Sequence, residues 1–544
     1  MIARYIVVLG IVLSALCGGC GKAKESTDAS GKTSSSTGKV SASDTEKAPA
    51  SSDETSSSSK KKDTEQSASV EPVSRAYFGD LGLPRVERPV KIAPMKNGSV
   101  VLLVFDALNV RHLSAYGYKR HTSPNVDALA KQGLQFVNHV SNSSWTRPSF
   151  TTVITGQPKK VHGVELGGES SRLGSDVLTL AERFKAAGYR TAGLTGNSLV
   201  RDGWGFEQGF DYFEDPIKME QKAFFPDRLL VERAEEWLDT VAADKPFFMV
   251  LFMTSSHPPY RPPSKPRRFL SMVPDGPIID HPFKEYRKPL SKGDRDRIVA
   301  AYDDEVAYMD SQVGRLMKYL KSKGRIDNTV VAVTADHGEV FGLHNCYIHA
   351  YHMWEPALRV PWILKAPNLP VHGVAFDRDT THIDIAPTLL DMVGISHDKE
   401  PLPGISMVDR LASTEPYGEE RIRLSQYNAH GVRRQALRKG RWKLVHHHKV
   451  DPSAAERLDE LHPSVKQPDP EDLPSLAWDK ERFELYDLLT DPNENENLYE
   501  THRDRPETLE LLAALKRHLG DKVESPEMSE EMIQALINAG YLEE

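Results

Sequence analysis

Cysteine is scarce: three residues in 544, at positions 17, 20 and 346, too few for a disulfide framework or for a zinc site built from cysteine alone. Cys346 is expected to be a free thiol. Positive charge is not in excess either, since 69 Lys and Arg stand against 77 Asp and Glu for a net charge of −8. That balance provides no electrostatic footprint for nucleic acid. No long apolar run exists, the one near the N-terminus being about a dozen residues where a spanning helix needs about 20. No internal repeat is visible. What is present, 39% hydrophobic and 27% charged residues, suffices for a large buried core.

Met1-Ile-Ala-Arg4 precedes a mostly apolar stretch from Tyr5 to Leu16, followed by Cys17-Gly-Gly-Cys20-Gly. One positive charge, a short apolar run and small residues make a secretory signal. Gly18-Gly19 before Cys20 resembles the cleavage box of bacterial lipoproteins, departing from it at Cys17, where Leu is usual. The resemblance implies that residues 1–20 are a lipoprotein signal and that Cys20 becomes the lipid-modified first residue. It implies a place in the bacterial cell envelope with membrane contact only through that anchor; the alternative is a secreted protein. Residues 21–75 are Ser, Thr, Lys, Glu, Asp and Ala with almost no large apolar side chain. Such a segment cannot offset its ordering entropy and is expected to be a disordered tether.

From about residue 97 apolar runs alternate with helical periods. Val100–Phe105 is continuously apolar, as expected of a strand buried on both faces. Similar runs lie at Thr191–Leu194, Phe247–Phe252 and Thr329–Thr334, with helical stretches at Asp176–Ala187, Asp227–Ala242 and Asp294–Lys323. Ser123-Pro124 is read as the cap of a helix that stops at Gly133. This alternation predicts an α/β fold, a mainly parallel sheet sandwiched by helices, over residues 97–410. Shorter strands around Gln435–His446 and a closing helix near Glu507–Leu519 predict a smaller α+β subdomain over 411–520.

Ligands in such sheets bind beyond the carboxyl ends of strands. Asp106 directly follows one apolar run, and Asp336-His337-Gly338-Glu339 follows another. Two carboxylates and an imidazole at one sheet edge suit a divalent ion such as Zn²⁺, Mn²⁺, Mg²⁺ or Ca²⁺. Between them, Thr146-Arg147-Pro148 puts Thr146 at a helix N-terminus, because Pro148 fits only a first turn. Unpaired amides and the helix dipole there favour an alkoxide and an anionic substrate. Taken alone, Thr146 reads as a helix N-cap. His446-His447-His448 looks like a metal clamp, but neighbours on a strand point to opposite faces, so the three cannot easily converge.

A series of further motifs joins these: Tyr116-Gly-Tyr118, Thr122-Ser-Pro-Asn125, Thr155-Gly156, His162-Gly163, Ser256-His257-Pro-Pro-Tyr260, His349 with Glu355 and Arg359-Val-Pro361, and Asp384-Ile-Ala-Pro387. Leu437-Arg-Lys-Gly-Arg-Trp-Lys443 and Glu484-Leu-Tyr-Asp487 follow. In content and order, over about 97–500, the set resembles the sulfatase family of the alkaline phosphatase superfamily. The resemblance implies that fold, with Asp106, Thr146, Asp336 and His337 as ligands of one divalent metal. It implies Thr146, His257 and His349 as catalytic residues, with Arg147 and Asn197 binding substrate.

The departures are chemical. The family nucleophile is a Cys or Ser in C/S-x-P-x-R, oxidised to formylglycine; the matching stretch here is Thr146-Arg-Pro-Ser-Phe150. Threonine carries a methyl on Cβ and cannot give that aldehyde, so no formylglycine is expected. The usual second Asp is Ala107, the closing Arg is Phe150, and Gly196-Asn197-Ser198-Leu199 replaces a Lys-Trp-His segment. No clear Asp-x-x-x-His segment for a second metal is seen. A threonine ester must be released by water, as in threonine-using phosphodiesterases and phosphoethanolamine transferases of the superfamily. The expected function is thus hydrolysis of phosphate mono- or diesters, the substrate being a small-molecule, glycan or lipid ester. Alternatives are sulfate-ester hydrolysis at the same site, head-group transfer, and a degenerate binding protein.

Overall fold

The computed structural model describes Tyr77 and residues 81–87, 89–165, 172–215, 226–263, 267–276, 290–347, 349–414, 421–429, 432–449 and 481–519. The residues read as a lipoprotein signal, Cys20 among them, the expected tether and residues 450–480 lie outside the described residues.

In chain order the strands are β1 (Ser99–Phe105), β2 (Leu134–Phe136), β3 (His139–Val140), β4 (Arg190–Thr195), β5 (Tyr212–Glu214), β6 (Phe247–Met253), β7 (Thr329–Ala335), β8 (Trp362–Lys365), β9 (Val374–Phe376), β10 (Thr380–Thr381), β11 (Arg423–Ala429), β12 (Val432–Lys439), β13 (Trp442–His447) and β14 (Arg482–Asp487). Eight of them form one sheet in the order β5-β4-β6-β1-β7-β8-β2-β9. It is parallel except for β8, which runs against both β7 and β2. The four apolar runs read from sequence are β1, β4, β6 and β7, the middle of that sheet. Their two-sided burial explains why they lack polar alternation.

Helices cover both faces. Val101, Leu103 and Phe105 of β1 pack with α1 (Pro124–Lys131), α4 (Pro226–Thr240) and α5 (Lys292–Ser322). Val100, Leu102 and Val104 pack on the other side with α2 (Thr146–Thr155), α3 (Leu180–Ala186) and α6 (Ile385–Val393). The structure corrects two expectations at helix starts. α3 begins at Leu180 rather than Asp176, because Thr179 and Glu182 form a reciprocal capping box. Ser123 stands at the N-cap position of α1 without a side-chain cap bond; its Oγ pairs with Ser114 and Asp127 instead.

β11–β14 make a four-stranded antiparallel sheet. Leu437, Leu444, Phe483 and Leu485 bury it against Leu511, Leu512 and Leu515 of α7 (Pro506–Leu519). A buried charge network fixes this sheet to the first. Glu355 accepts from Arg438 Nη1 at 2.6 Å and Arg359 Nε at 3.1 Å, with Lys443 Nζ at 3.3 Å. Lys443 also reaches Glu494 at 2.6 Å. Arg359 and Arg438 both donate to Asn138 Oδ1, at 2.8 and 2.9 Å. The segment leading to α2 is held likewise, through Gln426 N to Asn142 O at 2.9 Å and Asn142 Nδ2 to Leu424 O at 3.0 Å.

Candidate active site

β1 and β7 are parallel neighbours with Phe105 paired to Ala335, so the next residues, Asp106 and Asp336, emerge side by side. The ladder continues into them: Asp336 N donates to Phe105 O at 3.0 Å and Asp106 N to Met253 O at 2.8 Å. Both carboxylates and His337 are fully buried. Asp336 Oδ1 accepts from His337 N at 2.7 Å and Ala107 N at 3.1 Å, and Asp106 Oδ2 accepts from Asn197 Nδ2 at 2.6 Å. The other two oxygens, Asp106 Oδ1 and Asp336 Oδ2, accept no hydrogen bond from the described residues. They lie 3.7 and 3.4 Å from His337 Nε2. His337 Nδ1 donates to Gly338 O at 2.9 Å, which fixes the tautomer and leaves a lone pair on Nε2.

Two orphaned carboxylate oxygens and one imidazole lone pair, with ligand atoms all within 4.8 Å of one another, fit one divalent cation. The electrostatics agree. Burial, then the Asp106 charge, pushes Asp336 well above the usual carboxylate range; burial, then His349, pushes His337 well below the usual imidazole range. Paired buried carboxylates are unfavourable without a cation between them, and a bound ion inverts that balance. The closeness demands Gly338: a Cβ there would lie 2.0 Å from Pro356 O.

Thr146 belongs to this group. Its Oγ1 is 3.2 Å from His337 Nε2 and its side chain is buried. It is the first residue of α2, and Trp145, not Thr146, occupies the N-cap position, which corrects the simple capping reading and leaves the hydroxyl available. The preceding segment is tied to the β1–β7 edge, since Ser141 Oγ donates to Asp336 O at 2.6 Å and Ser149 Oγ shares that acceptor. Beyond His337 stand His349, ring centroids 4.3 Å apart, and then His257, 5.0 Å from His349. His349 Nδ1 meets Glu339 Oε2 at 3.0 Å, and Tyr260 donates to the same oxygen at 2.9 Å. His349 is 2% exposed while His257 is half-buried.

The other expected residues lie differently. Asn197 is engaged with Asp106, and its own backbone is held by Thr195 Oγ1 at 3.0 Å. Arg147 Nε donates to Leu199 O at 3.0 Å, and its guanidinium stacks on Trp204 at 4.0 Å. Burial and then Arg201 lower its pKa to about 10. His162 bonds Thr152 of α2 at 3.2 Å and accepts from Val164 N at 3.1 Å. Cys346 is a free thiol that burial raises to about 12. Sequence reasoning missed Asp227, which accepts from Thr254 N at 2.8 Å and Ser255 N at 3.2 Å and so shapes the loop carrying His257. It also missed Tyr302, which donates to Ala107 O at 2.9 Å and accepts from Asn109 N at 2.8 Å. Tyr302 thereby holds Ala107 at φ +55°, a left-handed position beside Asp106.

The family model described as Sulfatase matches residues 99–395. The chain belongs to the sulfatase family. This places it among hydrolases of ester bonds in the alkaline phosphatase superfamily. The N-acetylglucosamine-6-O-sulfatase of Bacteroides thetaiotaomicron is 21% identical, over 78% of this chain and 87% of that protein. The ulvan-active sulfatase of Formosa agariphila is 26% identical, over 58% of this chain and 66% of that protein. Two solved structures share the fold. One is BT4656 in complex with its substrate D-glucosamine-2-N,6-O-disulfate, with TM-score 0.62, 19% identity, and 80% of this chain and 100% of that one covered. The other is the phosphonate monoester hydrolase of Agrobacterium radiobacter, with TM-score 0.57, 20% identity, and 82% and 96% covered.

Proposed function

We propose that this sulfatase-family hydrolase cleaves phosphate esters with Thr146 as a covalent nucleophile. The reading rests on the 3.2 Å approach of Thr146 Oγ1 to His337 Nε2, beside two carboxylate oxygens without hydrogen bonds. Asp106, Asp336, His337 and Thr146 would hold one divalent ion, which supplies positive charge that acidifies a hydroxyl and offsets negative charge on the substrate. Thr146 Oγ attacks phosphorus in line, and the P–O bond to the leaving alcohol breaks as the Thr–O–P bond forms. The threonine proton passes to solvent, and the free amides at the start of α2 share the developing charge. His257, nearer solvent than His349, gives a proton to the departing oxygen. Buried His349, oriented by Glu339, holds a non-bridging oxygen. Water then hydrolyses the phosphothreonine, releasing phosphate and restoring the hydroxyl. A Cβ methyl denies Thr146 the aldehyde route, which is why phosphate takes precedence over sulfate.

A second reading keeps these residues and takes sulfate esters, favoured by relatives that are sulfatases. One experiment divides them: mass spectrometry of the Thr146 peptide after a pulse of aryl phosphate or aryl sulfate. A phosphoryl adduct, absent in Thr146→Ala, supports the first reading. A sulfuryl adduct replaces it with the second, and turnover that persists in Thr146→Ala refutes both. We further propose export and anchoring through Cys20, on the strength of residues 1–20. Intact-mass analysis of the membrane-extracted protein checks this, and a mature N-terminus without lipid overturns it.

A further inference from the structure

The motif His446-His447-His448 takes no part in the proposed reaction, and the pleat of β13 divides it. His447 turns to one face, where its Nε2 lies 3.1 Å from Glu484 Oε2. His446 and His448 stand two residues apart on the opposite side, ring centroids 4.2 Å apart. The sheet register brings further groups to them. Gln435 of β12 and Phe483 of β14 both pair with His446. His447 pairs with Arg482, so one step further along the same register sets His448 opposite Glu481. Glu481 Oε1 is 2.5 Å from His446 Nε2. One ligand atom from each of His446, His448 and Glu481 lies within 4.8 Å of the other two.

The surroundings orient both rings for a common guest. Gln435 Oε1 lies 3.2 Å from His446 Nδ1 and 2.9 Å from His448 Nε2. With an ion bound, an amide oxygen accepting from both would leave His446 Nε2 and His448 Nδ1 as the lone-pair nitrogens, the arrangement that outer partners impose on metal-binding histidines; without one, His446 Nε2 donates to Glu481, so binding moves that ring's proton to Nδ1. Phe483 stacks on the His446 ring at 4.6 Å. Two imidazoles and a carboxylate suit zinc, with ligand bonds near 2.0–2.2 Å. Donors on such a sphere stand about 3–4 Å apart, so the His446–Glu481 contact opens by roughly 1 Å to admit the ion. The Glu481 side chain, 27% exposed, lies on the open side, whereas His446 is fully enclosed.

We propose that His446, His448 and Glu481 bind a zinc ion that fastens the end of β13 to the residue preceding β14. The donor set is separate from the one at the β1–β7 edge, and its role is structural. Residues 449–480 connect the two halves of the site, so the ion closes a long excursion of the chain, which restricts the unfolded state as a cross-link does.

The test uses full-length protein stripped of metal, titrated with zinc chloride, desalted and analysed for metal. Asp336→Ala removes the competing site at the sheet edge. This variant is expected to retain one zinc per chain, with a zinc-edge absorption spectrum showing imidazole scattering. Adding His448→Ala or Glu481→Gln is expected to weaken uptake by more than the roughly 10–100-fold that loss of an outer partner costs. Circular dichroism and the melting temperature in chelator should stay unchanged. Should His448→Ala fail to fold, Glu481→Gln, nearly isosteric, decides the same point. A folded Asp336→Ala that takes up no zinc overturns the proposal, as does zinc held equally well after Glu481→Gln. No readout involves turnover, so the outcome is independent of the reaction assigned to Thr146.

Discussion

Glu355→Gln tests how the second sheet is secured. The carboxylate meets Arg438 at 2.6 Å, Arg359 at 3.1 Å and Lys443 at 3.3 Å, with every side chain at most 4% exposed. At an effective dielectric near 20, each unit pair is worth about 4 kcal/mol, or roughly 12 kcal/mol for three. Desolvation, several kcal/mol per ion, cancels most of that gain, so the network as a whole adds little. Removing only its anion is another matter, since buried Arg359 and Arg438 then lose that carboxylate while Lys443 keeps its contact with Glu494. That loss is expected to cost about 3–5 kcal/mol and to lower the melting temperature by roughly 3–6 °C. Burial would raise the Glu355 pKa, but Arg438, Lys443 and Arg359 hold it well below the usual carboxylate range. A depressed pKa means that its stabilisation is complete above the unfolded value near 4.3 and fades as pH falls below it. Parent and variant should therefore differ clearly in guanidinium denaturation at pH 8, and converge in acid. A variant that unfolds within about 0.5 kcal/mol of the parent at pH 7 would refute the reasoning.

Thr146→Ser keeps the hydroxyl and should retain turnover within about tenfold, whereas Thr146→Ala should lose several orders of magnitude in kcat, both read by product release. Asn197→Ala removes the hydrogen bond to Asp106 Oδ2 and should weaken divalent-metal affinity by about 10–100-fold in a chelator competition, with kcat recovered at saturating metal. Glu305 is buried, and burial, then Asp227, raises its pKa to about 9. The folded state thus keeps a proton that the unfolded chain releases above about pH 4.3, so stability falls as pH rises towards 9. Glu305→Gln should match the parent near pH 5 and exceed it by about 2–4 kcal/mol at pH 8, measured by denaturant titration; equal stability at both pH values would contradict the shift.

The middle of the large sheet and its reacting edge were legible because they are local signals. Continuous Val/Leu/Phe runs are encoded whole in β1, β6 and β7, and the first polar residue after each run is where a parallel sheet exposes chemistry. Pro148 alone located the start of α2 near Thr146. The outer strands were not legible: β2 and β9 have three residues each and β8 four, too short for a periodicity to show. The antiparallel direction of β8 depends on β7, about thirty residues upstream, and on β2, more than two hundred residues away. The start of α3 was written in Thr179-Leu-Ala-Glu182, a capping-box spacing that was passed over. Asp227 and Tyr302 act through backbone groups distant in sequence and leave no local trace. The pleat rule correctly separated His447 from its neighbours; that His446 and His448 share a side, and meet Glu481, needed the β13–β14 register.

The grip on Glu355 reaches further than its stability cost. Pro356 and Ala357, the two residues after it, press directly on Gly338, whose amide donates to Ala357 O at 2.8 Å. Gly338 in turn fixes the tautomer of His337. Side chains on the small sheet are thus wired by three covalent neighbours to the imidazole that faces Thr146. Lesions at Arg438 or Lys443 should surface as catalytic defects, and grafting the terminal sheet of a relative onto this chain requires that the donor supply matching cations for Glu355.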